Sequence, residues 1–332
     1  MSKSNPNTID VLDSQVKTEF IQDYNTRLSN YEYTLDSYWK FSIVPNMFKQ
    51  SLSETDETEF DYLKEHFGIM GTWDEIITNL HELNQKANQD EEQYKILYLA
   101  RHGQGYHNLA HTKYGDDAWN EYWSKLNGDG EIVWGPDALL TDLGISQAKD
   151  NNQTWKSEQI NNESKNKDLI IPTRFYVSPL SRSIDTLYHT WNDIVDLKSL
   201  GPYIQENWRE TMGVHTCDKR SSRTIIANKY EDKGFIIEPG FAEEDIYYQD
   251  DYRESVGEQA LRINKALQQL FNEYPSDEIV SITSHSGSIR AQLLAVGHRS
   301  FAVGTGGMIP VFVKATKVSK KKKDESKGCT VC

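Results

Sequence analysis

Three short apolar runs that each stop at a polar turn constrain this chain more than any other feature. YKILYLA (94–100) is rich in strand formers and ends at RHGQG, RFYV (174–177) leads into SPLSRS, and IVSIT (279–283) leads into SHSGS. Runs of this composition, bounded by turn residues, read as buried strands. Helix-like segments follow the second and third, over 184–191 and 288–296. The longest helical pattern covers 258–274, where Ile263, Leu267, Leu270, Phe271 and Tyr274 share a face before Pro275 ends it. Strands alternating with such helices predict an α/β fold: a doubly wound, mostly parallel sheet with helices on both faces. MIPVFV (308–313) reads as a last strand, and Pro310 inside it favours a sheet edge, because proline has no N–H to give a ladder.

The texture of the chain suggests three parts. Residues 1–93 are polar and aromatic-rich and read as an extension packing on the main domain, with one amphipathic helix over 73–83 capped by Thr72. Residues 94–316 form the main domain, and 317–332 read as a disordered basic tail. The asparagine-rich stretch 151–166 reads as a solvated loop. No repeat of solenoid period occurs.

Asp and Glu outnumber Lys and Arg by 50 to 36, a formal net charge of −14. Such a field repels polyanions, which argues against nucleic acid or anionic lipid as a general partner. An anionic substrate must therefore meet locally clustered arginines. Two of the three cysteines lie in the last four residues, so no disulfide framework is expected and a reducing, cytoplasmic setting fits. No stretch has the length and apolarity of a secretory leader or a membrane span.

In an open parallel sheet, ligands bind beyond the carboxyl ends of the strands. Here those ends deliver Arg101-His102, Arg182 and His285. Two guanidinium forks, two imidazoles and the N–H groups of a following helix suit a tetrahedral phosphate dianion. Singly, each has a bland explanation as a core or surface residue. Their shared position at strand ends is what singles them out.

These residues resemble the histidine phosphatase superfamily, which contains phosphoglycerate mutase. Arg101-His102-Gly103-Gln104 with Asn108 is similar to its RHG-x-x-x-x-N signature. Asp137, Leu140, Thr141, Gly144, Gln147 and Ala148 resemble its D-x-x-L-T-x-x-G-x-x-Q-A segment, with Thr141 a helix cap; Ser178-Pro179-Leu180 with Arg182 resembles S-P-L-x-R, and Ser284-His285-Ser286-Gly287 resembles the second histidine motif. RHGQGYHN and WRETMGVHTCDKR look most like a branch of fungal and plant phosphomutase-like proteins. The resemblance implies a phosphoglycerate mutase-like fold and a phosphohistidine on His102, with Arg101, Arg182, His285 and Asn108 binding the phosphoryl oxygens. It also implies an acid in the segment after the third strand, where both Glu206 and Glu210 are available; Arg-Glu shortly before Gly213 favours Glu210.

The function expected is a metal-independent phosphatase for a small phosphorylated metabolite. The alternatives are a phosphomutase of phosphorylated sugars or acids, or a non-catalytic phosphate-binding module. Gln104, Gly105, Tyr106 and Ser286 are candidates for the substrate pocket, and His107, His215, Lys219 and Arg220 for its mouth. Typical mutases carry serine or threonine where this chain has Gly105, which favours the phosphatase. Neither metal nor other cofactor is expected: Asn127-Gly-Asp-Gly-Glu lacks the later ligands of a calcium loop and reads as a turn. The end of the chain, Cys329-Thr330-Val331-Cys332 behind Lys320 to Lys323, resembles a prenylation signal on Cys329 with a polybasic patch, a route to membrane association; the alternative is a solvated tail with two free thiols.

Overall fold

The computed structural model describes residues 4–161 and 167–320. Helices α1 (Thr8–Ser14) and α2 (Thr18–Thr34) precede strand β1 (Ser37–Ile43), and α3 (Trp73–Lys86) precedes β2 (Glu92–Arg101). Next come α4 (Tyr106–Tyr114), α5 (Asp116–Glu121), α6 (Asp142–Asn161), β3 (Arg174–Val177), α7 (Ser181–Trp191), α8 (Leu197–Leu200) and β4 (Tyr203–Ile204). The chain continues through α9 (Arg223–Tyr230), β5 (Ile236–Ile237), α10 (Val256–Glu273), β6 (Ile279–Ser284), α11 (Ser286–Ala295) and β7 (Met308–Ser319).

The strands join in one sheet, in the order β1-β7-β2-β6-β3-β4-β5. From β2 to β5 all neighbours are parallel, and β7 runs against both β2 and β1. The mostly parallel α/β sheet predicted from the alternating pattern is therefore present. β2 from Gln93 onward and the whole of β6 are buried at every position. Strands buried on both sides need cover on both faces. The helices supplying it pack as α10 with α11 and α2, and as α6 with α7. Thr72 caps α3 and Ser255 caps α10, each in a capping box closed by a glutamate three residues on.

Three expectations need correction. Residues 151–161 are not loop but the second half of α6, with Asn151, Asn152 and Trp155 buried. Asn151 donates to the Gly306 carbonyl and Asn152 to those of Thr190 and Asn192, so polar side chains do the packing and no apolar period marks the helix. β7 is not an edge strand, since β1 covers its far side. β1 reaches only to the Ile43–Val313 pair, however, so at Pro310 that side of β7 has no neighbouring strand and the missing N–H costs no ladder bond. Finally, the N-terminal residues do more than pack on a finished sheet, because they add β1 to it. SYWKFSI gave no signal because only Trp39 is buried.

Among the described residues, no helix is long and apolar enough to cross a membrane. Cys329 and the lysines from 321 onward lie outside them.

Candidate active site

A cavity of about 580 Å³ opens where β2 and β6 end, within the range of small-molecule sites. His102 enters it directly from the end of β2, its N–H donating to the Ser284 carbonyl of β6 and its carbonyl accepting from Gly306. Its ring is buried, and Nδ1 lies 2.6 Å from the Gly103 carbonyl. A carbonyl only accepts, so Nδ1 carries the proton and Nε2 keeps its lone pair. Nε2 accepts at 3.3 Å from the Arg182 Nε. Burial, then the charges of Arg182 and Arg101, push the His102 pKa well below 6.5. The result is a neutral imidazole with a fixed tautomer and its free nitrogen beside a guanidinium.

The turn after His102 depends on a close approach of two backbones. Gly103 lies against Gly144 in the first turn of α6, and Thr141 caps that turn by accepting from the Gly144 N–H at 3.2 Å. Thr141 also donates to Gln104, which fastens the RHG turn to α6.

Arg182 sits on the first turn of α7, buried, with Nη1 on the Cys217 carbonyl at 2.7 Å and Nη2 on Asp218 at 2.9 Å. Asp137 holds the start of α7 by accepting from the Ser181 N–H and hydroxyl, both at 2.8 Å, and it reaches Ser221 at 2.6 Å. That is the physical role of the aspartate in the second motif. His285 is fully buried, its ring centroid 5.0 Å from that of His102. Its Nε2 meets the hydroxyls of Ser178 at 2.7 Å and Ser183 at 3.2 Å, whereas its Nδ1 is buried with no partner among the described residues. Serine hydroxyls can donate to Nε2, which leaves Nδ1 as an N–H donor, although His285 itself is not among the residues lining the cavity. Asn108 lines the cavity and caps α4 through its Oδ1, which accepts from Gly105 at 2.9 Å. The Nδ2 of the same amide remains as the donor the sequence reading required.

The structure separates the two glutamates. Glu210 lines the cavity and accepts from the N–H groups of Thr211 at 2.7 Å and of Gly287, in the first turn of α11, at 3.2 Å. Gly287 makes room for it: a Cβ there would lie 2.2 Å from the Glu210 Oε1. Glu206 stands outside the cavity lining, held by Arg220 at 2.6 Å and Arg209 at 3.1 Å.

Of the four substrate-pocket candidates, Gln104 and Ser286 line the cavity. Gly105 and Tyr106 do not. Gly105 is buried and paired with Leu140, and Tyr106, first residue of α4, is turned outward and 37% exposed. Of the mouth candidates, His107 and His215 line the cavity. Lys219 lies over the Tyr248 ring, and Arg220 is buried on Glu206. Residues 127–131 form a turn, in which Asp129 accepts from the N–H groups of Glu131 and Ile132.

Several lining residues escaped the sequence reading: Asp10 and Asp13 of α1, Trp119, Asp218, Arg253 and Arg290. Asp218 lies in the WRETMGVHTCDKR segment without having been singled out there, and the others stand in no recognisable motif. Asp218 is the buried hub, bound by Arg182 on one oxygen and by Arg253 on the other at 2.9 Å. Ligand atoms of His215, Cys217 and Asp218 also lie within 4.8 Å of one another. A cation there would have to compete with both guanidinium groups for the carboxylate, and burial pushes the Cys217 thiol up, away from the thiolate a metal needs.

Comparison with known proteins agrees with this geometry. Residues 97–302 match the family described as Histidine phosphatase superfamily (branch 1). Over 309 residues the chain is 36% identical to a probable phosphoglycerate mutase of Arthroderma benhamiae, covering 88% of this chain and 89% of that protein. It is 34% identical to phosphomutase-like protein 3 of Candida albicans, covering 82% and 80% of the two chains. A probable phosphoglycerate mutase of Saccharomyces cerevisiae is 33% identical, with 82% and 95% covered. With the matched segment spanning most of the chain and both histidine turns inside it, this protein belongs to the histidine phosphatase superfamily.

Proposed function

We propose that the protein is a phosphatase of small phosphorylated metabolites that works through a phosphohistidine on His102 and needs no metal. The observation that carries this reading is the His102 ring: Nδ1–H fixed on the Gly103 carbonyl, Nε2 unprotonated beside the Arg182 Nε, and the whole kept neutral by burial. A neutral imidazole nitrogen is a competent nucleophile without prior proton removal.

In the first step Nε2 attacks phosphorus in line, forming the N–P bond as the ester P–O bond breaks. The Arg101 and Arg182 guanidinium groups, the His285 Nδ1–H and the Asn108 amide meet the phosphoryl oxygens, which are most charged in the transition state. Glu210 delivers a proton to the departing alcohol oxygen. In the second step Glu210 takes a proton from water, the water oxygen attacks phosphorus, and the N–P bond breaks to return Nε2 and release phosphate. Arginine forks stand where other phosphoryl-transfer enzymes place a metal ion.

The relatives named phosphoglycerate mutase or phosphomutase support a second reading, in which the phosphoryl group returns to a substrate oxygen instead of water. Gly105, where typical mutases carry serine or threonine, favours hydrolysis; a side chain there would meet the His107 Nδ1, 2.6 Å from the Cβ position, and require that ring to move. Phosphate release from a panel of phosphorylated metabolites, with chelator present, tests the proposal. Chelator-resistant release that His102→Ala abolishes is the expected result. Labelled phosphate passing from one substrate molecule to another, without release to water, would decide for the mutase.

A further inference from the structure

The segment before the matched domain reaches the site. Asp10 on α1 presents Oδ1 to the Arg101 Nη1 at 2.7 Å, while its Oδ2 accepts from the Asn7 N–H at 2.9 Å and closes the helix cap. Both ends of the segment are seated. The Ser4 backbone lies against Gly304, where a Cβ would come within 2.2 Å of the Ser4 oxygen, and Asp13 binds Arg290 through both its carbonyl and its carboxylate.

Two roles for Asp10 are physically distinct. A carboxylate on the phosphate-facing edge of Arg101 would compete with substrate. A carboxylate on the opposite edge would fix the guanidinium and leave a fork free. Arg101 is 4% exposed, and every hydrogen bond its side chain makes to the described residues runs through Nη1, to Asp10 and to the Val303 carbonyl at 2.8 Å. Its Nε is buried with no partner among them. Nε and Nη2 are thus the donors left unengaged, the pair arginine presents to two oxygens in its bidentate geometry.

We infer that Asp10 is a positioning residue for phosphate recognition: it holds Nη1 so that the other edge of Arg101 faces the phosphoryl group, and α1 thereby completes the site. This rests on the phosphoryl-transfer reading above. Residues 7–13 then act as a wall of the active site rather than as a neutral extension.

A double-mutant cycle on the full chain tests it, with orthovanadate as the probe and its inhibition or binding constant as the readout. Asp10→Ala is expected to weaken vanadate binding roughly tenfold, the scale of one charge-assisted hydrogen bond. In an Arg101→Ala background the same change is expected to alter it by less than about twofold, because Asp10 acts only through Arg101. Asn5→Ala, which removes the seat of the segment on the Thr58 carbonyl without touching Arg101, is expected to leave binding unchanged. Equal losses in both backgrounds would overturn the inference and mark a merely structural role. Tighter binding in Asp10→Ala would overturn it too, by showing that the carboxylate competes with phosphate. If the unaltered protein bound no vanadate, the phosphoryl-transfer reading itself would fall, and this inference with it.

Discussion

Gly103 and Gly144 meet backbone to backbone: a Cβ on the first would stand 2.2 Å from the Gly144 carbonyl oxygen, and a Cβ on the second 2.2 Å from the Gln104 carbonyl oxygen. The obstacle in each case is main chain, which cannot swing aside like a side-chain tip. Gly144→Ala should therefore push the His102 turn away from α6, costing about 1–3 kcal/mol of stability. Urea unfolding measures the loss, and a much larger drop in activity than in folded fraction would show the turn displaced.

His102→Ala removes the proposed nucleophile and should lower the rate by at least about a thousandfold, to the level that binding and charge alone sustain. The variant should also fail to take up label from a phosphorylated substrate under acid-free quench, where the unaltered protein yields an acid-labile phosphoenzyme.

Glu210 and Glu206 should part company in their measurable effects. Glu210→Gln keeps the shape but loses the proposed proton shuttle, so turnover should fall by about 10²–10⁴-fold with little change in unfolding. Gly287→Ala should imitate part of that loss by crowding the Glu210 carboxylate. Glu206→Gln strips charge from between the buried Arg209 and Arg220, and it should destabilise by about 3–5 kcal/mol. Side-by-side thermal melts and turnover numbers check both.

Acid should weaken the fold before it protonates the nucleophile. Burial holds His102, His107 and His285 well below 6.5 in the folded chain, with the charge of Arg182 next in importance. Unfolded, each would titrate near 6.5, so below that pH the unfolded chain binds more protons and stability falls. Each group contributes about 1.4 kcal/mol per pH unit within its window. His215, pushed down to about 4, adds to the loss between about pH 6.5 and 4. Urea midpoints at pH 7, 6 and 5 measure the slope. The His102 ring resonances should stay in their neutral form across that range, and a titration centred near 6.5 would contradict the account.

Strands β2, β3, β6 and β7, the order of the four motifs and the helix caps at Thr72 and Thr141 were legible in the sequence because each is a local effect: apolar runs, turn residues and hydroxyls act within a few positions. Strand ends that carry Arg101, His102, Arg182 and His285 located the site for the same reason. The sequence could offer two glutamates but not choose, since Glu206 and Glu210 differ only in which arginines and amides close around them. The second half of α6 was hidden because much of what it buries is polar, Asn151 and Asn152 bonded to distant carbonyls beside Trp155, and β1 because it buries one residue. Asp10, Asp218 and Arg253 acquire their roles from partners 35 to 91 positions away. A carboxylate alone in sequence carries no sign of the guanidinium it will hold, so only the tertiary structure could decide that α1 and Asp10 stand beside Arg101 in the wall of the cavity.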